Sequence, residues 1–136
     1  MSLISRIKRH EGLSTKPYYC TADKLTIGYG RNLEVGITEE EAEYLLANDL
    51  KTAKAGAESF AAYWEMNNIR REVLVEMIFQ LGLTGVSKFK KFLAASQNHD
   101  WARAADEMLD SRWAREQTPE RAKTLAKLFL RGCYER

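Results

Sequence analysis

The 136-residue chain is 45% hydrophobic and 29% charged, with only 8 Gly and 2 Pro, a balance that fits one compact domain and excludes disorder, collagen and low complexity. Its 21 Lys and Arg against 19 Asp and Glu leave a net charge of +2, a mild bias toward anionic partners, and with no basic run on any predicted helix a nucleic-acid binder is not expected. Cys20 and Cys133 are too few for a disulfide scaffold, and with His10 and His99 they form no metal-ligand spacing, so free thiols and no cofactor or metal are expected.

The first segment, Ser2 to His10, places Leu3, Ile4 and Ile7 on one helical face, with Ser2 able to accept a bond from an early N–H, and the turn ends at Gly12. Charged residues from Arg6 to Glu11 interrupt it, so it does not read as a signal peptide, and no stretch of the chain approaches the ~20 apolar residues of a membrane span. From Pro17 to Leu33 the β-formers Tyr18, Tyr19, Thr21, Leu25, Thr26, Ile27 and Tyr29, punctuated by Asp23, Gly28 and Gly30, predict a small antiparallel sheet. Thr38 and Glu41 then have the spacing of a capping box and open a helix that runs to about Ala57.

Beyond Phe60 the pattern is helical throughout. Ile69, Val73, Leu74, Met77, Ile78 and Leu81 form so broad a stripe that the helix from about Asn68 to Leu81 is expected at the core of a larger lobe, stopped by Gly82. Shorter helices follow at about Lys88 to Ala95, Asp100 to Leu109 and Pro119 to Leu130, the last with Thr118 as its cap and Pro119 at its first position. The expected fold is therefore α+β: a small β lobe over about 13–37, a connecting helix over about 38–57, and a helical lobe over about 60–136 joined by the helix at 2–11.

Glu11 stands where the first helix gives way to the sheet, and Cys20 and Thr26 flank the first hairpin. Glu11-Gly12-Leu13, Tyr18, Cys20 and Thr26-Ile27-Gly28-Tyr29-Gly30 resemble the glutamate, aspartate-or-cysteine, threonine signature of the phage-type lysozymes. Met77 to Gly82, Thr84-Gly85-Val86 with Phe89, Ser111-Arg112-Trp113, Gln117-Thr118-Pro119 and Arg121 are similar to segments of the same family in the same order, so the resemblance covers nearly the whole chain.

The resemblance implies a single two-lobed, monomeric lysozyme domain, an endolysin that hydrolyses the β-1,4 bond between N-acetylmuramic acid and N-acetylglucosamine in bacterial peptidoglycan. Such an enzyme waits in the host cytoplasm and reaches the wall once the membrane is opened. Glu11 becomes the general acid, Cys20 occupies the aspartate position, Thr26 positions water and Arg121 orients Glu11. Gly30, Asn32, Phe79 and Gln80 are the implied substrate contacts. A cysteine in place of aspartate leaves its role open among anion, base and nucleophile, with inversion expected for direct attack by a Thr26-held water and retention for a thiol nucleophile. Asp23 is the nearest spare carboxylate, and the segment from Leu33 to Thr38 is shorter than in T-even phage members of the family. The rival readings are a lytic transglycosylase and a wall-binding module without turnover.

Overall fold

The computed structural model describes residues 2–134 and has the expected α+β architecture: six helices and a three-stranded antiparallel sheet among the described residues. It divides after Leu45 into two compact units.

In the first unit, helix α1 (Leu3–Glu11) is capped by Ser2, whose hydroxyl accepts from the Ser5 N–H at 3.1 Å, and it ends where the Gly12 N–H returns to the Lys8 carbonyl. Strands β1 (Ser14–Tyr19), β2 (Leu25–Gly28) and β3 (Arg31–Asn32) follow in sheet order β1-β2-β3. Tyr18 pairs with Thr26 and Thr26 with Asn32, so these three residues form one row across the sheet, while an irregularity between Ser14 and Tyr18 bends β1. A 3-10 turn at Leu33–Val35 leads to helix α2 (Glu39–Glu58), which runs on into the second unit.

The capping box forms as its spacing predicts. The Glu41 N–H donates to Thr38 Oγ1 at 3.1 Å, and the Thr38 N–H donates to Glu41 Oε1 at 3.0 Å. Arg31 grips the same carboxylate with both terminal guanidinium nitrogens, Nη1 at 2.9 Å and Nη2 at 2.8 Å, which ties β3 to the start of α2. The Arg31 guanidinium, followed by the Thr38 N–H, holds the Glu41 carboxyl down to about 2.

The second unit holds the hydrophobic core. Helix α3 (Asn68–Ser87) starts at Asn67, whose side chain accepts from the Arg70 N–H, and buries Val73, Leu74, Met77 and Ile78. Gly82 interrupts α3 with φ 80° and ψ 161°, a conformation essentially reserved for glycine, and the helix resumes to Ser87 rather than stopping. Helices α4 (Lys90–Gln97), α5 (Trp101–Leu109) and α6 (Pro119–Arg131) close around Phe92, Met108 and Phe129, with the Phe92 and Phe129 rings 5.2 Å apart. Arg70 fastens the end of α6, donating from Nε to the Phe129 carbonyl at 2.8 Å and from Nη2 to the Leu130 carbonyl at 3.0 Å, with its guanidinium over the Trp101 ring.

A second expectation, after the stop at Gly82, fails in detail. The Thr118 side chain makes no cap bond to α6; its hydroxyl instead accepts from Gln80 Nε2 at 2.9 Å, because the π-helical turn Trp113–Gln117 delivers it to α3.

Two outcomes follow for stability. Phe92→Ala removes a fully buried ring, and chemical denaturation should show a loss of about 3–5 kcal/mol. Because the folded Glu41 carboxyl lies below its unfolded value of ~4.3, its contribution is full above that value and lost as pH falls toward about 2. Glu41→Gln should therefore speed hydrogen exchange in the sheet unit at pH 7, and the difference from wild type should shrink steadily below pH ~4.3.

Candidate active site

Glu11 is the last residue of α1, and its exposed carboxyl lies against the turn that joins β2 to β3. A Cβ built on Gly30 would stand 2.7 Å from Glu11 Oε2 and 3.0 Å from Cδ, so the carboxylate rests on bare backbone. One helical turn earlier, Lys8 Nζ sits 5.3 Å from the centre of the Tyr29 ring.

Cys20 follows β1 and begins a tight loop. Its N–H donates to the Lys24 carbonyl at 3.0 Å and its carbonyl accepts from the Asp23 N–H at 2.8 Å, with Asp23 at φ 59°. The half-buried thiol is thus ringed by backbone donors. The backbone bond from Lys24, then that from Ala22, pushes its pKa below the ordinary thiol value; partial burial opposes this, and the Thr26 hydroxyl adds a smaller push in the same direction.

Thr26, in the central strand, is the one buried residue among those described in the sheet unit, 4% exposed. Its hydroxyl donates to the Lys24 carbonyl at 2.7 Å. With a single proton it serves one acceptor at a time: beside a neutral thiol it bonds Lys24 and offers lone pairs, and beside a thiolate it can turn its proton to sulfur. Thr26 and the Lys24 backbone therefore hold Cys20 in either protonation state. Asp23 is exposed in the loop and meets this pair through its backbone bond to Cys20.

The remaining expected residues have definite places. Asn32 shares the row of Thr26, and its Oδ1 accepts from the Glu34 N–H at 2.9 Å. In the helical unit Phe79 is 42% exposed and lines a groove of about 680 Å³ with Tyr63, Leu50, Val75, Glu76 and Arg121. Arg121 donates from Nε to Glu76 Oε2 at 2.8 Å, a partner that helical spacing alone does not reveal. Gln80 spends both ends of its amide inside the unit, accepting from Trp113 Nε1 at 3.1 Å and donating to Thr118. Of the tryptophans, Trp113 is buried and Trp101 packs against Phe129, whereas Trp64 is 59% exposed. No cluster of His, Cys, Asp and Glu among the described residues could hold a metal ion.

The family model described as Phage lysozyme matches residues 8–131, which takes in Glu11, Cys20, Thr26 and the helices down to α6. The chain belongs to the phage lysozyme family. Within that family it is 35% identical to the protein named probable T4-type lysozyme 1 of Dictyostelium discoideum, over 71% of this chain and 58% of that protein. It is 31% identical to the pre-baseplate central spike protein Gp5 of Enterobacteria phage T4, over 99% of this chain and 28% of the spike. An endolysin of Acyrthosiphon pisum secondary endosymbiont phage 1 is 35% identical over 57% of this chain and 56% of its own length. The chain thus spans between about a quarter and three-fifths of the length of these relatives.

The thiol environment yields a direct expectation. In a Cys133→Ser protein, ultraviolet titration of the thiolate should place Cys20 below the ordinary ~8.5, and Thr26→Val should move it back up.

Proposed function

We propose that the protein is a lysozyme: its two units act as one domain that hydrolyses the β-1,4 bond between N-acetylmuramic acid and N-acetylglucosamine in bacterial peptidoglycan. It acts as a monomer on glycan strands and needs no cofactor. The observation that supports this most is that the Cys20 N–H and the Thr26 hydroxyl meet on the one Lys24 carbonyl, in the same unit as Glu11.

Cleavage requires a proton for the leaving oxygen, stabilisation of an oxocarbenium-like carbon, and a directed water. Glu11 supplies the proton as general acid. Cys20, favoured as an anion by its loop, answers the positive charge on carbon, the part a carboxylate plays in the aspartate-bearing signature. Whether its proton points to Lys24 or to the thiolate, the Thr26 oxygen keeps lone pairs that accept an O–H from water and orient that water's oxygen toward the carbon. As the water adds, its proton passes to the Cys20 thiolate, solvent returns a proton from that thiol to Glu11, and the product has inverted configuration. Gly30 and Asn32 flank the reacting sugar.

As an endolysin the protein reaches the wall once the membrane is opened, and among the described residues no helix is long and apolar enough to cross a membrane.

Turbidity loss of purified peptidoglycan tests the roles. Glu11→Gln should cost at least about 100-fold in rate, Cys20→Asp should keep much of it, and Cys20→Ser should lose most. Wild-type activity in Glu11→Gln would refute the acid, and glycan binding without cleavage by the wild-type protein would refute the enzyme.

A further inference from the structure

The close approach of Glu11 to Gly30 says more than that a glycine tolerates the turn. We propose that the Tyr29-Gly30 turn is the positioning element of Glu11, a proposal that rests on Glu11 being the general acid. Two contacts make the case. Lys8 and Glu11 are three residues apart and so share a face of α1, and they meet consecutive residues of the turn: the Lys8 ammonium lies over the Tyr29 ring, and the Glu11 carboxylate occupies the space where a side chain at position 30 would begin. A Cβ there would come within 2.7 Å of Oε2, closer than real Cβ contacts allow, so any residue but glycine at position 30 must displace the carboxylate. The turn thus sets how far the carboxyl reaches along the sheet, while Lys8 and Tyr29 hold the helix that carries it.

The same hairpin contains its own control. Gly28 has a similar positive φ, 68° against 80° at Gly30, but a Cβ on Gly28 meets nothing within 4 Å. Gly28→Ala therefore imposes comparable backbone strain without touching Glu11, and the difference between the two alanine variants isolates the carboxylate contact.

The test is a double-mutant cycle read in thermal stability and in kinetics. Gly30→Ala should lower the melting temperature only slightly more than Gly28→Ala, because the exposed carboxylate can swing aside, and this small excess should vanish when both are made in Glu11→Ala protein. At saturating peptidoglycan, Gly30→Ala should lower kcat about 100-fold, far more than it raises KM, whereas Gly28→Ala should leave both near wild type. If Gly30→Ala alone does not fold, the Gly30→Ala, Glu11→Ala double variant should still fold. An excess that persists without the Glu11 carboxyl, a double variant that does not fold, or a Gly30→Ala enzyme with wild-type kcat overturns the proposal. The stability arm does not depend on catalysis, so it stands even if full activity of Glu11→Gln removes Glu11 from the acid's role.

Discussion

The hydroxyl of Thr26 is bonded to the Lys24 carbonyl inside the sheet unit, and that bond shapes the loop on which Cys20 sits. Central strand β2 places Thr26 between Tyr18 and Asn32, so its position is set from both sides by backbone ladders rather than by a rotamer choice on a free surface. The Lys24 backbone then serves two groups at once: its carbonyl takes the Cys20 N–H and the Thr26 hydroxyl, and its own backbone donor favours the thiolate. A change at Thr26 therefore alters loop geometry and thiol chemistry together.

Strands of six, four and two residues bury no hydrophobic core among the described residues of this unit, so its order rests on polar ties of short sequence separation. The capping box and the two-pronged Arg31 to Glu41 pair are these ties. The helical unit follows the opposite logic. Its stability lies in interlocked rings and in Arg70 closing the carbonyl end of α6, so residues such as Phe79 and Arg121 can stand in a groove without carrying the fold.

Much of this could be read in the sequence because local signals and tertiary structure agree. Thr38 with Glu41, Ser2 ahead of Leu3, and the broad apolar stripe from Ile69 to Leu81 each act over a few residues, and each forms as its spacing predicts. The reading fails where a partner comes from far along the chain. Thr118 has the form of a helix cap, yet Gln80, 38 residues away, takes its hydroxyl. Gly82 kinks α3 instead of ending it because core contacts continue at Val86 on the far side. At the site, the residue types of Glu11, Cys20 and Thr26 were legible through the family resemblance. The shared proton of Thr26, the contact of Glu11 with Gly30 and the Glu76 partner of Arg121 were not, since no periodicity encodes a loop's hydrogen bonds or a missing side chain.

The central claim is that water, rather than the sugar's own hydroxyl, completes the cleavage. Mass spectrometry of fragments released from purified peptidoglycan in ¹⁸O-labelled water tests it directly. Reducing muramic ends that each carry one heavy oxygen are the predicted result. Unlabelled anhydro-muramic ends, lighter by one water, would contradict it and make the sugar's own hydroxyl the attacking group.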